Sequence, residues 1–115
     1  MEEKIQISIL LSLYGNLLTK TQQKYMDLYY NEDLSLAEIA QNDGITRQGV
    51  RDIIKKGEKK LFEYEEKLLF MKRMLNQEKK IEEILVELTK IQKDYTDNEV
   101  ASILENVKKE LNCLV

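Results

Sequence analysis

The chain has 115 residues, of which 43% are hydrophobic and 34% charged, and its formal net charge is −3. That length sets one domain as the default, with room for a helical extension, and the acidic total excludes a surface that binds polyanions indiscriminately. The lack of histidine and the single cysteine, Cys113, exclude an internal disulfide, a multi-cysteine metal site and the commonest general base.

Apolar residues recur at intervals of three and four, and no useful stretch alternates with period two, so an all-α fold is expected. The first helix is expected over residues 2–14 and should stop at Gly15 and Asn16 through a left-handed backbone. Its apolar run, residues 7–13, follows Glu2 and Glu3 and lacks a small-residue cleavage site, so no signal peptide is expected. No apolar run nears the ~18 residues of a transmembrane helix, so the expectation is no membrane insertion and a cytoplasmic location.

A second helix begins at Thr19, which with Gln22 has the spacing of a capping box. Tyr25, Leu28 and Tyr29 share one face, with Met26 and Tyr30 adjacent, and Asn31, Glu32 and Asp33 supply a polar turn. Ser35 and Glu38 form another capping box, opening a two-turn helix with Leu36, Ile39 and Ala40 on its inner face. Asn42, Asp43 and Gly44 then turn the chain, with Gly44 at positive φ. Ile45 is expected to plug the gap before the next helix, which Thr46 caps. That box is incomplete, because Gly49 has no side chain to reach back.

The helix after Thr46 carries Val50, Ile53, Gly57 and Leu61 along one face. Gly49 and Gly57 each cost roughly 1 kcal/mol relative to alanine, and either close packing or a bend would account for Gly57. From Leu61 the spacing becomes coiled-coil-like through Tyr64, Leu68, Met71 and Leu75. It resumes out of phase at Ile81, Ile84, Leu88, Ile91 and Tyr95, leaving residues 76–80 as a loop, a kink or a phase skip. Thr96 and Glu99 have capping-box spacing, and the last helix is expected to bury Val100, Ile103, Leu104, Val107 and Leu111. About five or six helices are expected in all.

The chemistry concentrates in residues 34–61. A short capped helix, a glycine turn and a second capped helix make a helix-turn-helix, whose dominant use is to lay the second helix against nucleic acid. Residues 36–61 hold Arg47, Arg51, Lys55, Lys56, Lys59 and Lys60 against Glu38, Asp43, Asp52 and Glu58, while the flanking segments are net acidic. Arg47, Gln48, Arg51, Asp52 and Lys55 occupy outward positions. Arginine can take two acceptors on guanine, and glutamine can pair with adenine. Lys55, Lys56, Lys59 and Lys60 are placed for phosphate or solvent, and Thr46 adds a helix-start amide suited to phosphate. Asp52 opposes tight binding unless it pairs with cytosine or a neighbouring arginine. The competing reading is a trihelical core whose charges are merely solvated, or a protein-binding module on the same scaffold.

No nucleophile–base pair or phosphate-cradling glycine loop is visible, so neither an enzyme nor a cofactor is expected. Glu63, Glu65 and Glu66 read as a solvated helix face and not a metal site, and Cys113 as a small apolar helix residue. The second half of the chain is amphipathic with mixed charge, which suits a packing face or dimer seam better than a membrane surface.

The Tyr14-Gly15 opening, the paired Tyr29 and Tyr30 before an acidic turn, residues 35–39, the Thr46-Arg47-Gln48 start and the tail over residues 63–68 together resemble the YlxM family of small bacterial helix-turn-helix proteins. Residues 19–61 are also similar to region 4 of bacterial sigma factors. That likeness puts Arg47, Gln48, Arg51 and Asp52 on base-reading positions, and Val50 and Ile53 on core positions. The chain departs from the family pattern at Gly49, where alanine is common, and at Arg51, where an aromatic residue is common. The resemblance implies a regulatory role tied to the signal recognition particle pathway, with particle RNA, particle protein or DNA as partner.

The expected arrangement is a sigma-region-4-like helix-turn-helix domain over residues 1–70 and a helical extension over residues 71–115 that packs back or forms a homodimer. The expected nucleic-acid-binding residues are Thr46, Arg47, Gln48, Arg51, Asp52, Lys55 and Lys56. The alternative function is a protein–protein adaptor that uses the scaffold without binding DNA.

Overall fold

In a computed structural model that describes residues 1–94 and 97–114, the three-and-four periodicity is realised as helices. The described residues form α1 (Glu3–Tyr14), a 3-10 turn (Gly15–Leu17), α2 (Lys20–Tyr30), α3 (Leu36–Asp43), α4 (Arg47–Leu68), α5 (Phe70–Asp94) and α6 (Asn98–Asn112). The chain divides into two compact units, Met1–Met71 and Lys72–Val115.

In the first unit α1, α2 and α3 all pack on α4. The core comprises Ile7, Leu10, Leu11 and Tyr14 from α1, Tyr25 and Met26 from α2, Ile39 and Ala40 from α3, and Val50, Ile54 and Leu61 from α4. Leu18 and Met71 close its edges. The core residue on α4 is Ile54, not Ile53, which is only half-buried. At 100° per residue, Ile54 lies about 40° from the line through Val50, Gly57 and Leu61, and Ile53 about 60° away on its other side. Gly57 is explained by close packing. A Cβ there would overlap Met26 Sδ and stand 3.4 Å from Met26 Cγ and 3.6 Å from Gln22 Cβ, and α4 continues through this point without interruption.

The predicted caps at Thr19, Ser35 and Thr46 are present. Thr19 and Gln22 form a reciprocal box, with backbone-to-side-chain bonds of 3.1 Å each way. Ser35 and Glu38 do the same at 3.1 and 3.2 Å. Gly15 departs from expectation: its φ is −54°, and α1 ends by tightening into the 3-10 turn instead of turning left-handed. The backbone reaches a left-handed conformation at Asp33, Gly44 and Leu69.

Leu69, at φ 57°, breaks the apolar pattern that runs from Leu61 to Leu75 into two helices. A partly buried cluster of hydrogen bonds holds this break. The Tyr14 hydroxyl donates to Glu65 Oε1 at 2.7 Å and accepts from the Phe70 N–H at 3.2 Å, while Glu65 Oε1 accepts from the Met71 N–H at 3.0 Å. Two of the orphan donors at the start of α5 are thereby satisfied. Glu65 is therefore a partly buried capping group and not part of a solvated acidic face; Glu63 and Glu66 do remain exposed.

In the second unit α5 runs unbroken across residues 76–80. Ile81 is buried, whereas α6 has no buried residue. Ile103 and Val107, expected inside, are exposed, and Val100, Leu104 and Leu111 are half-buried. Gln92 joins the two helices by donating to Glu105 and accepting from Lys108, each at 3.3 Å. The expected Thr96 cap and the apolar Tyr95 lie outside the described residues; the cap seen on α6 is Asp97, whose carboxylate accepts from the Glu99 N–H at 2.9 Å. Cys113 lies just past α6 and is exposed, so it packs no helix face. Among the described residues no helix is long and apolar enough to cross a membrane.

Candidate nucleic-acid interface

Local chemistry sets the angle between α3 and α4. Gly44 ends α3 at φ 67°, and the Ile45 N–H donates back to Ala40 O at 3.1 Å. Thr46 Oγ1 then accepts from the Gly49 N–H at 3.0 Å and starts α4. Ile45 does not plug the gap as expected. It is 40% exposed; the five-residue bond to Ala40 already closes the turn, and the buried apolar residues around it are Ile39, Ala40 and Val50.

A polar clamp fixes the turn to α2. Asp43 accepts from the Tyr25 hydroxyl at 2.7 Å and from Lys24 Nζ at 3.2 Å. These two donors hold the Asp43 carboxyl below its ordinary value of 3.8. A group with a depressed folded pKa contributes stability that is present above its unfolded pKa and is lost as pH falls through the folded one. Acid unfolding below about pH 4 should therefore be less steep in Asp43→Asn than in the wild type, as followed by circular dichroism. An unchanged acid limb would show that the clamp carries no linkage.

Of the expected site residues Thr46 is the N-cap that precedes α4, and Arg47, Gln48, Arg51, Asp52, Lys55 and Lys56 are exposed on the outer side of its first three turns. They fall on two rows of four-residue spacing: Arg47, Arg51 and Lys55 on one, and Gln48, Asp52 and Lys56 on the other. Lys55 pairs with Glu58 at 3.4 Å, and Glu58 also accepts from the Tyr30 hydroxyl. Gln48 Nε2 donates to Asp52 Oδ1 at 2.8 Å. Among the described residues no hydrogen bond or ion pair holds the side chains of Arg47, Arg51, Lys56, Lys59 or Lys60, so these five cations are open to a ligand. Lys56, Lys59 and Lys60 border an open hollow of about 300 Å³ beside Gln22 and Glu63. No group of three or more acidic or cysteine side chains is arranged to hold a metal ion among the described residues.

The sequence of a family described as "Putative helix-turn-helix protein, YlxM / p13 like" matches residues 1–107. The chain belongs to this family. A Clostridium kluyveri protein named "UPF0122 protein" is 44% identical over 108 residues, covering 94% of both chains. A Clostridium botulinum protein of that name is 46% identical over 88 residues, covering 76% of this chain and 81% of its own. A Fusobacterium nucleatum relative is 36% identical over 107 residues, covering 93% of this chain and 97% of its own. The helix-turn-helix of this family member comprises α3, the Gly44 turn and α4.

Proposed function

We infer that this YlxM-like protein is a non-enzymatic regulator that binds duplex nucleic acid through the first turns of α4. The supporting observation is the exposed, unpaired Arg47 and Arg51 at the capped start of α4, outside its buried face of Val50, Ile54 and Leu61. B-form DNA fits best, because its major groove admits an α-helix whereas that of A-form RNA is deep and narrow. Thr46 anchors the helix start, Arg47, Gln48, Arg51 and Asp52 face base edges, and Lys55 and Lys56 face phosphate. A role near the signal recognition particle, with its RNA as an alternative ligand, rests on the family resemblance alone.

Arg47→Ala plus Arg51→Ala should lower affinity for duplex DNA by about ten- to a thousandfold and flatten its salt dependence. Fluorescence anisotropy at several salt concentrations measures both. Equal binding by the double variant would remove α4 from the interface.

An adaptor role is the second reading, favoured by apolar side chains left exposed on both helices of the second unit, with Ile84 of α5 45% and Ile103 of α6 57% exposed. In that case Ile84→Glu plus Ile103→Glu abolishes capture of the partner while the two arginine substitutions do not. The nucleic-acid reading predicts the opposite pattern.

A further inference from the structure

We propose that Asp52 is a specificity determinant that accepts a hydrogen bond from the N4 amino group of a cytosine in the DNA major groove. This rests on the duplex-binding reading above and names the base chemistry that the same face selects. An exposed carboxylate amid arginines and lysines would ordinarily be neutralised by one of them. Here the only partner of Asp52 among the described residues is the uncharged Gln48 amide, at 2.8 Å. Its charge therefore stays on the outer face, between the Arg47–Arg51 row and Lys56.

The chemistry of the pair fixes what it presents. An ionised carboxylate only accepts, so Gln48 must turn its NH₂ toward Asp52 and leave its carbonyl outward. The first two positions of the second row thus offer acceptors, Gln48 Oε1 and Asp52 Oδ2, ahead of the Lys56 donor and beside a first row that offers only donors. Neither acceptor has another partner among the described residues. In the major groove a G·C pair has the complementary layout, with the acceptors N7 and O6 on guanine beside the N4 donor on cytosine. Arg51 would take guanine, and Asp52 the amino group next to it. The Gln48 hydrogen bond orients the carboxylate in advance, so less side-chain freedom is lost on binding. Against any other floor, Asp52 only repels the phosphates.

The test is selection of duplexes from a randomised library with the full-length chain, followed by affinity measurement on the selected site and on its C·G→T·A variant. The wild type should select an invariant cytosine and lose about ten- to a hundredfold in affinity when it is replaced. Asp52→Ala should bind random duplex severalfold tighter yet discriminate the two sites less than about twofold, because repulsion and readout are lost together. Asp52→Asn should shift the selected base toward adenine, which asparagine can read through N6 and N7. Asp52 is exposed, so these variants keep the fold, which circular dichroism verifies. A uniform gain for both sites in Asp52→Ala, with discrimination intact, would overturn the assignment of Asp52 alone. Absence of any duplex binding by the wild type would overturn this assignment and the duplex-binding reading together.

Discussion

Gly57→Val is expected to lose about 3 kcal/mol of stability or more, a large fraction of the roughly 5–15 kcal/mol that keeps a domain folded. Even the Cβ of alanine at this position would overlap Met26 Sδ, and Met26 is completely buried between α2 and α4. Gly57→Ala is the finer probe, because two effects oppose. Alanine favours the helix by roughly 1 kcal/mol, and overpacking costs about 1–3 kcal/mol, so a small net loss is expected. Met26→Ala alone should cost about 2–5 kcal/mol by leaving a cavity. In the double variant the new Cβ enters that cavity, so the combined loss should fall short of the sum by at least ~1 kcal/mol. Urea unfolding of the four proteins gives the coupling directly. Strict additivity would mean that Gly57 is not there for the contact with Met26.

Tyr14 should show the second large effect. Its ring is 1% exposed, stacks on Phe70 at 6.0 Å and tilts against Tyr64 at 5.9 Å. Tyr14→Ala should therefore cost about 3–5 kcal/mol. Tyr14→Phe keeps the ring and removes only the hydroxyl, which donates to Glu65 and accepts from the Phe70 N–H. That change should cost about 1–3 kcal/mol, since the partly buried Glu65 loses a donor. Burial and the Glu65 hydrogen bond also raise the Tyr14 pKa above its ordinary value of 10.0. A raised folded pKa gives stability that is complete below pH 10 and is lost as pH rises through the folded value. The wild type should thus weaken more steeply in alkali than Tyr14→Phe does, although it is the more stable protein at neutral pH. Equal stability of Tyr14→Phe and wild type at pH 7 would refute the capping role.

These two residues also mark where the sequence is readable and where it is not. Thr19 with Gln22, Ser35 with Glu38, the Thr46 cap and the Gly44 turn are all legible because each is a contact within a few residues along the chain. The Tyr14–Glu65 contact joins residues 51 apart, and no local signal announces it. The break at Leu69 is hidden for the same reason. Leucine disfavours a positive φ, and the conformation is accompanied by a long-range hydrogen bond from the Phe70 N–H to Tyr14 and by a bond from the Met71 N–H to Glu65, the carboxylate that Tyr14 itself holds.

Ile53 and Ile54 were separable only by the exact phase of the α4 stripe, which neighbouring apolar residues blur. The Gln48–Asp52 pair follows the ordinary four-residue rule for helix side chains and was within reach of the sequence. Both residues fall on the outer face by periodicity, and their spacing of four is what joins them into a pair. The stripe on α6 has the correct period, yet its residues are not buried within the single chain, since periodicity marks which face is apolar and not what covers it.

The most direct measurement is a titration of ¹⁵N-labelled full-length protein with duplex DNA at low salt, followed through its backbone amide resonances. Binding through α4 predicts shifts that concentrate on residues 44–56, grow with DNA concentration and reverse on adding salt. Shifts confined to α5 and α6, or none at all at millimolar DNA, would contradict it.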